Sequence, residues 1–494
     1  MTGPSEPSVR TLAAAVRRGE RSATDLVEAS LDHIEATASL NAYVTVIGDD
    51  ARARAERIDT MVARGSDPGP LAGVPVAIKD LRTRKAGVPN TLGLKPLENT
   101  VATEDSIGVE RLEAAGAVVV GTTSTPALAH TIKTENRLVG ATPTPFDLER
   151  SAGGSSGGSA AALASGSVRL ATGSDIGGSL RVPASCSNVV ALKPTLGVVP
   201  ECTAFDGFCG QTPFFVNGPM ARTVEDVALL LEVLAGDDPR DPLSVPLGET
   251  AYPEATERAT SELAVAYSPN LDLQPVDPTV RRTVDDAVEA LADAGVTVRP
   301  ADVSLPPYEA FSKAYVRHVG AFFSAFAAQV EAEYDLAFDD IDVEETARAT
   351  IALADGVETT DERLGNVPRT EAYRAIEAAL EGHDALVTPT LTVPPYGKHL
   401  ADGYPTEIDG QSVLGVPTDV MLTWVFNMTG HPAASVPAGV TDDGLPVGLQ
   451  VVGRRFAEED VLAVAAAFER ARPWADAYPD ITDARGNDRE RNIK

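Results

Sequence analysis

Cysteine is nearly absent from this chain. Its 494 residues include Cys186, Cys202 and Cys209, an odd number with no Cys-x-x-Cys spacing. That argues against a disulfide-stapled scaffold and a cysteine-based metal site, and makes a reducing cytoplasm the default compartment. No apolar run reaches the ~20 residues of a membrane-spanning helix. The opening residues, MTGPSEPSVR, lack the apolar region of a secretory signal. Positive charge is also short. Lys plus Arg total 41 against 72 Asp plus Glu, a formal net charge of −31. Lysine is confined to positions 79, 85, 95, 133, 193, 313, 398 and 494.

The acids are spread out, with a dense run at Glu331, Glu333, Asp335, Asp339, Asp340, Asp342, Glu344 and Glu345. Hydrophobic residues make up 43%, enough for a large core, so the acidity does not signal disorder. A folded acidic chain poor in lysine has the composition of a protein from a high-salt (halophilic) cytoplasm, where screening relieves self-repulsion. The same surface repels nucleic acid. The expected partner is a small molecule; no membrane is involved, and a homodimer is compatible with this reading.

What the chain has in abundance is glycine and serine in one place. Gly153 to Ser179 reads GGSSGGSAAALASGSVRLATGSDIGGS. It opens with a glycine loop, Gly153 to Gly158, and closes with a second, Ser174 to Ser179. Between them, Ser159 to Ser165 is a short helix stopped by Gly166, and Val168 to Leu170 is a strand. Two such loops joined by a packed element place two serine hydroxyls in one pocket, and the glycines bring backbone N–H groups close to a ligand. A flexible linker would not enclose a helix and repeat its loop. A phosphate cradle would need a following Gly-Lys-Ser/Thr or GxGxxG spacing. Gly153 to Gly157 matches G-x-S-x-G, but the preceding Pro143 to Ala152 reads as a loop instead of the required strand. His318, His383, His399 and His431 follow downstream, and none stands in a recognisable triad pattern.

GGSSGGSAAALASG, then GSDIGGSLRVPAS and ALKPT, resembles the amidase signature family. The segment Gly73 to Asp80 (GVPVAIKD) fits the family's upstream lysine strand. The resemblance covers about residues 20–235 and 380–475. It implies an amidase without metal or cofactor, cleaving the C–N bond of a small carboxamide through a serine acyl-enzyme. Ser179 would be the nucleophile, Ser155 the relay and Lys79 the base, with a cis peptide at Gly154–Ser155. The N–H groups of Ile176, Gly177, Gly178 and Ser179 would form an oxyanion hole. Asp175 and Arg181 read as a supporting pair. An alternative carried by the same motifs is the glutaminase-type A subunit of a tRNA-dependent amidotransferase. Thr122, Thr144, Cys186-Ser187-Asn188 and Ala191 depart from the family's more usual residues.

The expected fold is α/β, the amidase signature fold: one domain with a large mixed central β-sheet covered by helices on both faces, an α/β/α sandwich. The signature core is expected at about 70–235, a helical cap at about 268–380 and a sheet-closing part at about 380–475. Val74 to Lys79 is a strand, with Val76 and Ile78 on one face and Ala77 and Lys79 on the other. Ser106 to Ala115 and Val224 to Ala235 are helices. Phe205, Phe208, Phe214 and Phe215 concentrate in one segment that serves either as core or as a pocket wall. Gly153, Gly154, Phe205 and Phe208 are the candidate substrate contacts.

Overall fold

The continuous apolar run Val74–Ile78 leading into Lys79 produces a strand, Pro75–Lys79, buried along its whole length. In the computed structural model it sits inside an eleven-stranded sheet. The structure describes residues 7–201, 208, 214–338 and 343–481. The sheet strands in chain order are β1 (Tyr43–Val46), β2 (Pro75–Lys79), β3 (Val118–Thr123), β4 (Leu170–Asp175), β5 (Val190–Lys193) and β6 (Val216–Ala221). They continue with β7 (Ala264–Tyr267), β8 (Thr297–Pro300), β9 (Ala385–Pro389), β10 (Ala433–Val440) and β11 (Pro446–Val452). Their spatial order is β1-β3-β2-β4-β6-β5-β10-β11-β9-β7-β8. The sheet is mixed: β2 runs parallel to β3 and β4, β7 runs parallel to β8 and β9, and the remaining neighbours are antiparallel.

Two apolar cores lie on opposite faces of the sheet's C-terminal half. Successive strand residues point to opposite sides. Val265, Ala385, Val387, Ala434, Val436 and Val451 join one core, and their neighbours Ala266, Leu386, Ala433 and Val452 join the other. The helices Pro278–Asp293 and Glu458–Ala471 pack into the first core. The 27-residue helix Tyr308–Tyr334 and the short helix Trp424–Thr429 pack into the second. The fold is therefore α/β with helices on both faces, and none of its helices among the described residues is long and apolar enough to cross a membrane.

Four local expectations change. The strand expected at Val168 to Leu170 runs from Leu170 to Asp175, because pairing with β6 from Val216↔Asp175 to Ala221↔Leu170 overrides the weak strand propensity of Ala-Thr-Gly-Ser-Asp. Ser174 and Asp175 thus belong to a strand, not a loop. The supposed loop Pro143 to Ala152 contains a small hairpin, Pro143–Thr144 with Asp147–Ser151. The span expected to be a helical cap contributes β8 to the sheet edge and the helix Pro278–Asp293 to one face; helices over the other face begin at Tyr308. The C-terminal pair β10 and β11 lies mid-sheet, flanked by β5 and β9, and does not close it.

Candidate active site

Strand β2 ends at Lys79, and the parallel neighbour β4 ends at Asp175. The two Gly/Ser loops come together at these ends. The first begins after the small hairpin and turns into a buried helix, Gly157–Ser165. It needs its glycines. Gly153 has φ +79°, and a Cβ there would lie 2.7 Å from Pro183 Cα; a Cβ on Gly154 would lie 2.7 Å from the Ile132 carbonyl carbon. These two glycines pack the loop against its neighbours and do not line the cavity described below. The Gly154–Ser155 peptide is cis. The Thr134 hydroxyl donates to the Gly153 carbonyl at 2.9 Å and accepts from Gly157 N–H at 3.1 Å, bridging the backbone on either side of Ser155.

Lys79 is buried, and its Nζ lies 2.7 Å from Ser155 Oγ and 2.9 Å from Ser174 Oγ. Burial pushes its pKa down to about 7, against a smaller upward pull from the Asp175 carboxylate. A lysine in this state is substantially neutral near neutral pH and can accept a proton. Ser174 was not singled out from sequence. Extending β4 by its last few residues is what brings this hydroxyl to Lys79.

The second loop is held from behind by a buried network. Arg181 grips Asp175 bidentately, Nη2 to Oδ1 at 3.0 Å and Nε to Oδ2 at 3.1 Å, with both side chains fully buried. Its other donors reach the Thr423 carbonyl and Gln450 Oε1, each at 2.8 Å, and Asn427 Oδ1 at 2.6 Å. Asn427 Nδ2 donates back to Asp175 at 2.8 Å. Burial alone would raise the Asp175 pKa, but Arg181 and Asn427 hold it below the ordinary carboxylate range. Thr423, Asn427 and Gln450 carry no local signal; only the tertiary fold brings them to Arg181.

Between these anchors the loop Ile176 to Ser179 has its N–H groups free of hydrogen bonds among the described residues. Gly177 and Gly178 are obligatory here. A Cβ on Gly177 would lie 1.9 Å from Tyr315 Oη, and one on Gly178, at φ +143°, would lie 2.1 Å from Thr423 Oγ1. The Thr423 hydroxyl donates to the Gly177 carbonyl at 2.6 Å.

Ser155, Ser174, Ile176 and Ser179 open onto a small cavity with about 230 Å³ of free space, its mouth included. Phe215, Phe322, Phe323 and Phe326 supply an aromatic wall, and Leu81, Leu128 and Ala129 complete it. The Phe-rich segment therefore divides: Phe215 faces the cavity, and Phe214 is core, edge-on to His318 with ring centroids 5.3 Å apart. Phe208 is 52% exposed and is not part of the lining. Phe205 lies outside the described residues. None of the histidines lines the cavity; His318, His399 and His431 face Glu362, Glu135 and Glu377.

Comparison with known proteins agrees with this architecture. The Amidase family model matches residues 25–462. An acylamidase of Rhodococcus erythropolis is 37% identical, covering 96% of this chain and 97% of its own. The A subunit of a glutamyl-tRNA(Gln) amidotransferase from Geobacillus stearothermophilus is 35% identical, covering 96% and 98%. Among solved structures, a bacterial aryl acylamidase of the amidase signature enzymes superposes with a TM-score of 0.90 at 30% identity, covering 96% of this chain and 98% of the other. A 6-aminohexanoate cyclic dimer hydrolase superposes at 0.83 and 31% identity, covering 95% and 98%. Matched by the family model over residues 25–462 and by these relatives over nearly its whole length, the chain belongs to the amidase signature family and is a hydrolase of amide bonds.

Proposed function

We propose that the chain cleaves a small carboxamide by itself through a Ser179 acyl-enzyme, with Lys79 as base and Ser155 as proton relay. The observation that carries this reading is Lys79, buried with a pKa near 7 and 2.7 Å from Ser155 Oγ. In the proposed sequence the neutral Lys79 amine accepts the Ser155 proton while Ser155 accepts that of Ser179. Ser179 Oγ attacks the carbonyl carbon, and the negative charge that develops on the oxygen meets the N–H groups of Ile176 to Ser179. The proton returns through Ser155 to the leaving nitrogen, the C–N bond breaks, and ammonia or an amine departs. Water, deprotonated by the same relay, then attacks the ester, releases the carboxylic acid and restores Ser179. Ser174, 2.9 Å from Nζ, orients the lysine. Asp175 and Arg181 hold the loop and stay outside the proton path.

The second reading is an amidotransferase A subunit, favoured by the 35%-identical relative of that description. Turnover of simple amides by the purified chain alone, in molar salt, separates the two. Replacing Ser179 by Ala is expected to reduce kcat by about 10⁵–10⁶ with an unchanged circular dichroism spectrum, and to end labelling by a fluorophosphonate. A folded Ser179→Ala enzyme with wild-type turnover would refute the assignment.

A further inference from the structure

The cavity beside the serines has one chemical character. Away from Ser155, Ser174 and Ser179, its described lining is entirely aliphatic or aromatic. The wall is also built to stay in place. Phe322 stacks on Phe215 at a centroid distance of 5.9 Å and meets Phe326 at 5.8 Å. The Arg82 guanidinium lies 4.8 Å from the Phe215 ring centroid, 5.7 Å from Phe322 and 4.7 Å from Phe326. It is tied to Glu201 at 2.9 Å, with both side chains nearly buried. One buried cation therefore gathers rings from the long helix Tyr308–Tyr334 and from Phe215, the residue just before β6, into a single wall. Its charge is met by Glu201, and no charged side chain is part of the described lining.

From this we infer that the substrate's acyl arm is small, uncharged and apolar, and that Phe322 and Phe326 set its permitted length. This rests on the amidase reading and narrows it. An α-amino or α-carboxylate group placed in the slot would lose its hydration and meet no charged partner in the described lining. Free glutamine is therefore a poor substrate, although its side-chain amide is of the right chemical type. A slot walled by Phe215, Phe322, Phe323 and Phe326 also rejects long arms.

Butyramide is glutamine stripped of its two charged groups, so the pair isolates the charge. Measured on the whole chain in molar salt, kcat/KM for butyramide is expected to exceed that for glutamine by on the order of 100-fold or more. Across primary amides from acetamide to octanamide it should rise and then fall. Phe326→Ala and, independently, Phe322→Ala should move the maximum to longer chains while retaining fluorophosphonate labelling. Binding gives a readout independent of turnover: the Ser179→Ala protein should be stabilised against thermal unfolding by butyramide more than by glutamine. Preference for glutamine in both assays overturns the slot inference and leaves the acyl-enzyme reading standing. So does an unmoved chain-length maximum in both folded Phe variants, or a gain from apolar arms confined to the amine side. Absence of turnover with selective butyramide binding overturns the catalytic reading and leaves the slot standing.

Discussion

In the proposed mechanism Lys79 concentrates the chemistry in one titration. Its pKa is lowered to about 7 by burial, whereas the unfolded side chain titrates near 10.4. The amine gains its catalytic form as pH rises, so kcat/KM is expected to climb through an inflection near pH 7 to an alkaline plateau. The stability effect follows from the same shift. Between about pH 7 and 10 the unfolded chain holds a proton that the folded one has lost, so folding becomes more favourable as pH rises through that window. Buried Lys193, also lowered to about 7, contributes in the same direction. Lys79→Met should abolish turnover and reduce the rise of melting temperature with pH. Lys79→Arg should not rescue, since guanidinium stays charged throughout. Wild-type rate in Lys79→Arg, or a loss in any single His→Ala variant matching Ser179→Ala, would contradict this base. The place of Lys79 at the end of a buried strand was legible in the sequence, because a scarce residue type follows an apolar run. Ser174 was not, because a Gly/Ser-rich stretch carries little strand propensity of its own.

At the level of elements, the two Gly/Ser loops and the helix between them could be read directly, because glycine and a run of alanines carry local preferences. Their backing could not. Arg181 stood in the sequence as a companion of Asp175, but its other acceptors are 242 to 269 residues away. The edge strand Thr297–Pro300 escaped for a related reason. It is four residues long and mostly exposed, so no alternating pattern marks it. The Arg181 network yields a sharp expectation. Arg181→Met leaves the Asp175 carboxylate buried without its main partner and should cost about 3–5 kcal/mol of stability. Urea melts would report this as a lower midpoint at a similar slope. A loss below about 1 kcal/mol would show that the pair is not the loop's anchor.

For the whole molecule, the excess of acidic residues leads to an expectation about salt. A net charge of −31 on a folded chain generates self-repulsion that added salt screens. The melting temperature is expected to rise from low salt to molar potassium chloride, with activity following it. A melting temperature independent of salt over that range would remove the high-salt reading. This expectation comes from composition alone, since it depends on the charge totals and not on the fold.

The span of the Arg181 contacts also bears on the order of events during synthesis. Translation delivers Lys79, Ser155 and Ser179 within the first 180 or so residues, but Thr423, Asn427 and Gln450 arrive only near the end. Strand β5 meets β10 across a comparable interval, Ala191 against Ser435. A nascent chain that has emerged as far as the long helix carries every proposed catalytic group and none of these C-terminal anchors. On the proposed mechanism, hydrolytic competence is expected only once the last strands pair, and contacts of such long range form slowly. A polypeptide truncated before Thr423 is expected to keep all three proposed catalytic groups and still show no turnover, which an amide assay on the truncated chain would check.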